Sequence, residues 1–244
     1  MSVEQNGTLS KVIQNYNYNN NSVAHGLAFD LNNTFMYSAD HQDSLLWTHK
    51  VNRETGEVVE VSKIPGPSPK SDPRHVTVHP NGQYLYVVLE GSNEVAQYAI
   101  NATDGTPSEI TASDTDSIFP LLPRGSNNTA YWGDEIALSS SNKYLWATTR
   151  AFNANETGYI SALSLDSTTG KITAQLFLTP TTNSGGLANA VTPSPFTDEF
   201  VALTDSSAGM VQIWKFYEGR KSAEVVAIAN IQDGACCANA VWYD

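Results

Sequence analysis

A four-fold internal repeat constrains the fold of this chain more than any other feature of its sequence. Each repeat has an apolar run, a polar turn, a second apolar run and a polar end, as in HGLAFDLNNTFMYSADH, RHVTVHPNGQYLYVVLE, DEIALSSSNKYLWATTR and NAVTPSPFTDEFVALTD. The repeats begin at His25, Arg74, Asp134 and Asn189, at steps of 49, 60 and 55 residues. A recurring period of this size indicates a repeat architecture in which each unit packs on its neighbours.

Each hairpin is followed by segments that also repeat. An alternating run comes first (SLLWTHKVN, EVAQYAIN, YISALSLD, MVQIWKF), then a turn with a glycine, then a further β-rich run. β-branched and aromatic residues dominate these runs, and helical periodicity is absent. The sequence therefore predicts an all-β fold, a β-propeller built from four-stranded blades.

The two ends of the chain match parts of a repeat. NGTLSKVIQN resembles the last strand of a unit, and CANAVWYD resembles a first strand, with Asn239 standing 50 residues after Asn189. We predict one incomplete propeller domain over residues 1–244 and expect that the chain is truncated at its N-terminus. The alternatives are that the two part-blades pair in a small ring or that another copy of the chain completes the ring. The predicted blades span 23–70, 71–118, 131–183 and 184–234, and the predicted part-blades span 1–22 and 235–244.

Charge and composition narrow the partners and the compartment. The net charge is −12, with 13 basic and 25 acidic residues, which disfavours nucleic acid as a partner. No apolar run reaches the roughly 20 residues of a membrane span, and the start shows no signal-peptide pattern. Cys236 and Cys237 are adjacent and cannot join distant segments, so no disulfide framework is expected. Glycosylation sequons weakly favour secretion and begin at Asn6, Asn20, Asn32, Asn101, Asn127 and Asn155.

Polar residues end the hairpin of every repeat, at two positions sixteen residues apart. Because the hairpin strands are antiparallel, a residue entering the first strand and one leaving the second lie at the same end. We therefore expect eight residues to ring one mouth of a central channel: His25, His41, Arg74, Glu90, Asp134, Arg150, Asn189 and Asp205. Two arginines and two histidines converging in an acidic protein favour an anion-binding pocket. The alternative is a set of polar caps that pair with one another and face solvent.

Several motifs together carry a family resemblance. VAHGLAFD, LWTHK, DPRHVTVHPNGQYLYVVLEGSNEV, TTRAF, LFLTPTTNSGGLANAVTPSPFTDEF and NAVWYD are similar to the fungal carboxy-cis,cis-muconate cyclases, the 3-carboxymuconate lactonizing enzymes of the seven-bladed lactonase family. The resemblance implies a seven-bladed propeller whose N-terminal blades have no counterpart in this chain. It also implies cycloisomerisation of a small polycarboxylate without metal or other cofactor. The matching catalytic residues are His25, Arg74, Glu90 and Arg150.

The resemblance also suggests roles for these residues. Arg74 and Arg150 suit substrate carboxylates, because a guanidinium binds them bidentately. His25 is the first choice for the general acid, since an unperturbed imidazole titrates near neutral pH. Glu90 either orients His25 or donates the proton itself, and the sequence leaves both arrangements open. Substrate-binding candidates of lower rank are His41, Asp134, Asn189 and Asp205. His75 is expected on the opposite face of its strand, away from the pocket.

Three other functions remain as alternatives. One is hydrolysis of a lactone, as in 6-phosphogluconolactonase-like relatives, with the arginines on a phosphate. Another is calcium-dependent hydrolysis with Glu90, Asn189 and Asp205 as ligands, which two arginines in the same ring disfavour. The third is an inactive fragment or scaffold. No membrane partner is expected, homo-oligomerisation is left open, and the resemblance implies a cytoplasmic enzyme whereas the sequons point outward.

Overall fold

The computed structural model describes residues 1–153, 155–184, 189–206, 208–231 and 238–243. Within these ranges sixteen strands form four separate antiparallel sheets, and each sheet contains four strands that follow one another in sequence. The described helices are two short 3-10 turns, Asn128–Ala130 and Glu218–Arg220, and neither has the length or apolar character needed to cross a membrane. The predicted all-β fold with four-stranded blades is confirmed.

The sheets lie in chain order as four blades. The first blade contains β1 (Ala24–Phe29), β2 (Phe35–Asp40), β3 (Leu45–Val51) and β4 (Val58–Pro65). The second contains β5 (Pro73–Val78), β6 (Tyr84–Leu89), β7 (Glu94–Ala99) and β8 (Ile118–Pro120). The third contains β9 (Tyr131–Leu138), β10 (Tyr144–Ala151), β11 (Thr157–Leu165) and β12 (Ile172–Ser184). The fourth contains β13 (Val191–Pro193), β14 (Phe200–Asp205), β15 (Met210–Tyr217) and β16 (Ser222–Asn230).

Neither end of the chain forms a strand ladder in the described residues. The stretch 1–22 contains one isolated bridge, between Val3 and Leu9, and Gln14 hydrogen-bonds with both backbone groups of Val58 on β4. Near the other end, Trp242 donates its indole N–H to the carbonyl of Thr192, 2.9 Å away. A lone strand gains regular hydrogen bonds only from a neighbouring strand. The part-blade assignments of 1–22 and 235–244 therefore stay predictions, and Cys236 and Cys237 lie outside the described residues.

The blades pack face to face through their central strands. In β6, Leu85, Val87 and Leu89 are buried against the first blade, whereas Tyr86 and Val88 are buried against the third. Successive side chains of a strand point to opposite faces, so one strand contributes to two interfaces. β10 divides its residues in the same way between the second and fourth blades. This is why the second run of each hairpin is almost continuously apolar.

Glycines allow the inner strands to approach one another closely. β1 contacts β5, β5 contacts β9, and β9 contacts β13, so the first strands of the blades gather around one axis. A Cβ atom on Gly26 would stand 2.6 Å from the carbonyl oxygen of Arg74. A Cβ atom on Gly133 would stand 2.6 Å from the carbonyl oxygen of Leu89. Both distances are shorter than van der Waals contact, so any other residue would push neighbouring blades apart.

We expect Gly133→Ala to destabilise the fold by about 1–3 kcal/mol, because its methyl group meets backbone that cannot rotate away. The measurement is the urea midpoint of unfolding, which should fall while the m-value is retained. Gly219→Ala is the control, since a Cβ atom there has no neighbour within 4 Å. Equal midpoints for the two variants would contradict the close approach of β9 to the second blade.

Candidate functional site

Four charged side chains form a closed ring at one end of the inner hairpins. Arg74 Nη1 donates to Glu90 Oε2 over 2.6 Å, and Arg74 Nη2 lies 3.2 Å from Asp134 Oδ1. Arg150 Nη2 lies 3.5 Å from Glu90 Oε1, and Arg150 Nε lies 3.9 Å from Asp134 Oδ1. Each arginine thus contacts both carboxylates. We call Arg74, Glu90, Asp134 and Arg150 the charge quartet.

The fold accounts for this placement. Arg74 lies in the first strand of the second blade and Glu90 follows the second strand, so the hairpin brings them to the same end. Asp134 and Arg150 occupy the corresponding positions of the third blade. The blades join here through a backbone hydrogen bond of 3.1 Å from the Gly133 N–H to the Glu90 carbonyl. The convergence expected from the sixteen-residue spacing is therefore present for these four residues.

The quartet is nearly shielded from solvent. The side chains of the quartet are between 4% and 14% exposed to solvent, so water screens their charges poorly. The Arg150 guanidinium also lies over the ring of Trp132, 4.9 Å from the centroid, which fixes the plane of its fork. Trp132 could not be selected from the sequence, because it lies outside the repeating polar positions.

The two carboxylates differ in their affinity for protons. Burial alone would raise the pKa of Glu90, but the hydrogen bond with His41 and the charges of Arg74 and Arg150 outweigh burial and lower this pKa to about 2. Deeper burial raises the pKa of Asp134 despite the nearby arginines. Glu90 is therefore a stable anion, and a role as proton donor does not suit it in this structure.

The histidines separate into two environments. His41 Nε2 lies 3.3 Å from Glu90 Oε1, and this hydrogen bond raises the pKa of His41. His25 instead contacts the ring of His75, with centroids 4.7 Å apart. Burial, followed by the charges of Arg74 and His75, lowers the pKa of His25 to about 4. Two expectations from the sequence are therefore corrected. The pKa of His25 is lowered instead of lying near neutral pH, and the carboxylate of Glu90 accepts a hydrogen bond from His41.

The prediction that His75 faces away from the pocket is wrong. Pro73 pairs with Leu89 and His75 with Val88, so β5 carries one extra residue at this point. Such a β-bulge turns two consecutive side chains towards the same side. A cavity of about 250 Å³ beside the quartet includes His75 and Glu135 in its wall. The complete lining is His25, Arg74, His75, Asp134, Glu135, Ala190, Ala238 and Asn239.

The remaining predicted positions come from the fourth blade. The Asn189 N–H donates a short hydrogen bond to Asp134 Oδ2, and the Asn189 side chain donates to the carbonyl of Thr149 over 3.1 Å. Asn189 therefore braces the quartet from the neighbouring blade. Asp205 is buried, and its Oδ1 accepts the Ala208 N–H over 3.0 Å in the turn after β14.

The geometry does not favour the calcium alternative. The oxygens of Glu90 face Arg74, Arg150 and His41, and these donors occupy the positions that a cation would need. Over the described ranges, no group of three or more His, Cys, Asp or Glu side chains is arranged to hold a metal ion. The wall of the cleft instead contains the guanidinium group of Arg74, the imidazoles of His25 and His75, and the carboxyl groups of Asp134 and Glu135.

A family model and two curated proteins match this chain over most of its length. Residues 2–184 match the family described as lactonase, 7-bladed beta-propeller. The chain is 38% identical over 250 residues to a carboxy-cis,cis-muconate cyclase of Neurospora crassa, covering 100% of this chain and 66% of that protein. It is 32% identical over 219 residues to muconate cycloisomerase 1 of Cutaneotrichosporon cutaneum, covering 86% and 56%.

A solved structure agrees with these relatives in fold. The periplasmic gluconolactonase PpgL of Pseudomonas aeruginosa superposes with a TM-score of 0.78 at 15% identity, over 96% of this chain and 62% of that one. The chain spans 66% and 56% of the two curated relatives above. The match over residues 2–184, together with the four consecutive blades, shows that the chain belongs to the lactonase family of seven-bladed β-propellers.

Proposed function

We propose that this chain carries the active site of a cycloisomerase that converts 3-carboxy-cis,cis-muconate into a carboxymuconolactone in the catabolism of aromatic compounds. The observation that carries this proposal is the convergence of Arg74, Glu90 and Arg150 in one buried quartet beside His25. These residue types match the family motif, and the whole chain is 38% identical to a protein named carboxy-cis,cis-muconate cyclase. The reaction needs no cofactor.

The proposed reaction is an intramolecular addition. A carboxylate oxygen of the substrate forms a C–O bond to one carbon of a C=C bond, and the π electrons move to the neighbouring carbon. A proton then bonds to that carbon, so a trianion and one proton give a dianionic lactone. Holding the diene folded provides high effective molarity, and the protein must then stabilise the carbanion that precedes protonation.

The arginines are suited to the charge of this substrate. Both guanidinium groups are permanently charged and are held in fixed planes, Arg74 by two carboxylates and Arg150 also by Trp132. Donors that are already oriented need little reorganisation as charge develops, and one such donor contributes about 3–4 kcal/mol to transition-state stabilisation. Arg74 lines the cleft directly, so it is the better placed of the two to meet a substrate carboxylate.

His25 is the proton donor that this arrangement favours. Glu90 is held as an anion, with its pKa lowered to about 2, and its carboxylate accepts hydrogen bonds from Arg74 and His41. His25 lines the cleft, and the positive charge of Arg74 helps to keep it neutral in this structure. A bound polycarboxylate would offset that positive charge and favour the imidazolium form. Binding of the substrate and charging of the acid are thereby coupled.

Lactone hydrolysis is the second candidate, because the family model that matches the chain is described as lactonase. The likeness to PpgL, at 15% identity, concerns the fold alone. Two ultraviolet assays on one preparation of the full chain separate the candidates. The first follows the consumption of 3-carboxymuconate. The second follows the hydrolysis of 6-phosphogluconolactone through a coupled dehydrogenase. Turnover of the lactone alone would replace cyclisation with hydrolysis, and a well-folded chain inert in both assays would indicate a scaffold.

We expect Arg74→Lys and Arg150→Lys each to lower kcat/KM for cyclisation by about 100-fold or more, because an ammonium group cannot reproduce the bidentate fork. The measurement is the initial rate of loss of diene absorbance. Arg220→Lys is the matched control, since Arg220 stacks on Tyr217 in the outer turn of the fourth blade. Circular dichroism verifies that each variant is folded. Unchanged kcat/KM in a folded variant would remove that arginine from the mechanism.

The pH dependence should report the low pKa of His25. Above a pKa of about 4 the protonated fraction falls tenfold for each pH unit, so kcat/KM should fall about tenfold per unit between pH 5 and 7. The profile of His25→Gln should lack this slope. The same substrate and buffers are used for both proteins, which separates titration of the substrate from titration of His25. Parallel profiles would exclude His25 as the acid.

A further inference from the structure

Two β-bulges in neighbouring blades face each other across the cleft. In β5 the extra residue falls at Arg74 and His75. In β9, Gly133 pairs with Thr149 and Ile136 with Ala147, so one extra residue falls at Asp134 and Glu135. Consecutive side chains normally point to opposite faces of a sheet. Here both bulges add a second polar residue to the cleft next to a member of the quartet.

The two added residues contact each other. His75 Nδ1 lies 2.8 Å from Glu135 Oε1, and their side chains retain 26% and 16% of their exposure. Glu135 Oε1 also accepts the N–H of Ile136 over 3.1 Å, so the carboxylate is anchored by the backbone at the bulge. A carboxylate bound to one ring nitrogen fixes the orientation of an imidazole. His75 is thus held in one orientation.

The ring held in this way lies against His25. The two imidazole centroids are 4.7 Å apart and the ring planes are inclined by 48°. The contact depends on the close approach of β1 to β5, because a Cβ atom on Gly26 would stand 2.6 Å from the Cα of His75. His25 therefore has a neighbouring imidazole on one side and the cleft on the other.

We propose that His75, held by Glu135, is a positioning residue for His25 that keeps its ring facing the cleft. The inference rests on the proposed function, in which His25 donates the proton. The charged and titratable groups acting on His25 are Arg74 and His75 from β5, Glu90 after β6 and His41 after β2. Glu135 reaches His25 only through His75. Loss of Glu135 would release the His75 ring and open His25 to water.

The test uses side-chain NMR of the full chain without substrate, where the five histidines give few signals. Single substitutions assign the His25 resonance, which should remain that of a neutral ring from pH 8 down to about pH 5. In Glu135→Gln we expect the His25 midpoint to rise by about one pH unit or more, towards the ordinary value near 6.5. Removal of a negative charge would by itself lower this midpoint, so a rise shows that Glu135 acts on His25 through His75.

A second variant and a control complete the experiment. His75→Asn retains an amide donor near the position of Nδ1 but removes the ring, and it should raise the His25 midpoint as well. Glu109→Gln removes an exposed carboxylate elsewhere and should leave it unchanged. An unchanged or lowered midpoint in both test variants, with the amide spectrum of the folded chain retained, would overturn the proposal.

Kinetics separate this inference from the proposed function. If the chain cyclises 3-carboxymuconate, Glu135→Gln should lower kcat about tenfold, because the bound substrate meets a misoriented acid. KM should not rise, since the substitution removes a negative charge from the cleft that receives an anion. If the chain has no cyclase activity, the proposed function fails while the NMR titration still decides whether His75 positions His25. An unaltered kcat together with a raised His25 midpoint would overturn the catalytic part of the inference.

Discussion

The charge quartet is the interaction on which the rest of the site depends. Its members come from two blades, and each arginine contacts a carboxylate from its own blade and one from the neighbouring blade. Charges this deeply buried are tolerated only when they are paired, and loss of one partner from such a pair typically costs about 3–5 kcal/mol. The same contacts therefore join the second blade to the third and hold both guanidinium groups in fixed positions. In the proposed function, these side chains serve both the stability of the fold and the binding of the substrate.

The histidines obtain their properties from the quartet. Glu90 is the anion nearest to both arginines, and it gives His41 a greater affinity for protons. Burial lowers the pKa of His25, and the positive charge of Arg74 adds to this effect. His25 and His41 thus differ in their affinity for protons. Environments that separate the titration of neighbouring groups are a common basis for acid–base chemistry.

The sequence alone was sufficient to predict the repeat and the four-stranded blades. It also predicted the convergence of four residues, Arg74, Glu90, Asp134 and Arg150. These features depend on periodicity and on the antiparallel hairpin, both of which can be read from one chain. The positions of His75 and Glu135 could not be predicted, because a bulge is a shift of register between strands and leaves no compositional signal. The pairing of Glu90 with His41 could not be predicted either. The sixteen-residue spacing brings several hydrogen-bond donors close to Glu90, and the three-dimensional packing decides which of them contacts it.

The two-sided burial of the central strands has a consequence for how the blades unfold. A strand such as β6 supplies one set of side chains to the blade before it and the alternate set to the blade after it. Neighbouring blades are therefore coupled like the units of a one-dimensional chain, with each interface contributing its own free energy. The second and third blades, which have a complete blade on either side, should retain protected amides for longest in hydrogen exchange. The quartet lies at the junction of these two blades, so we expect its backbone to be among the last parts of the chain to open.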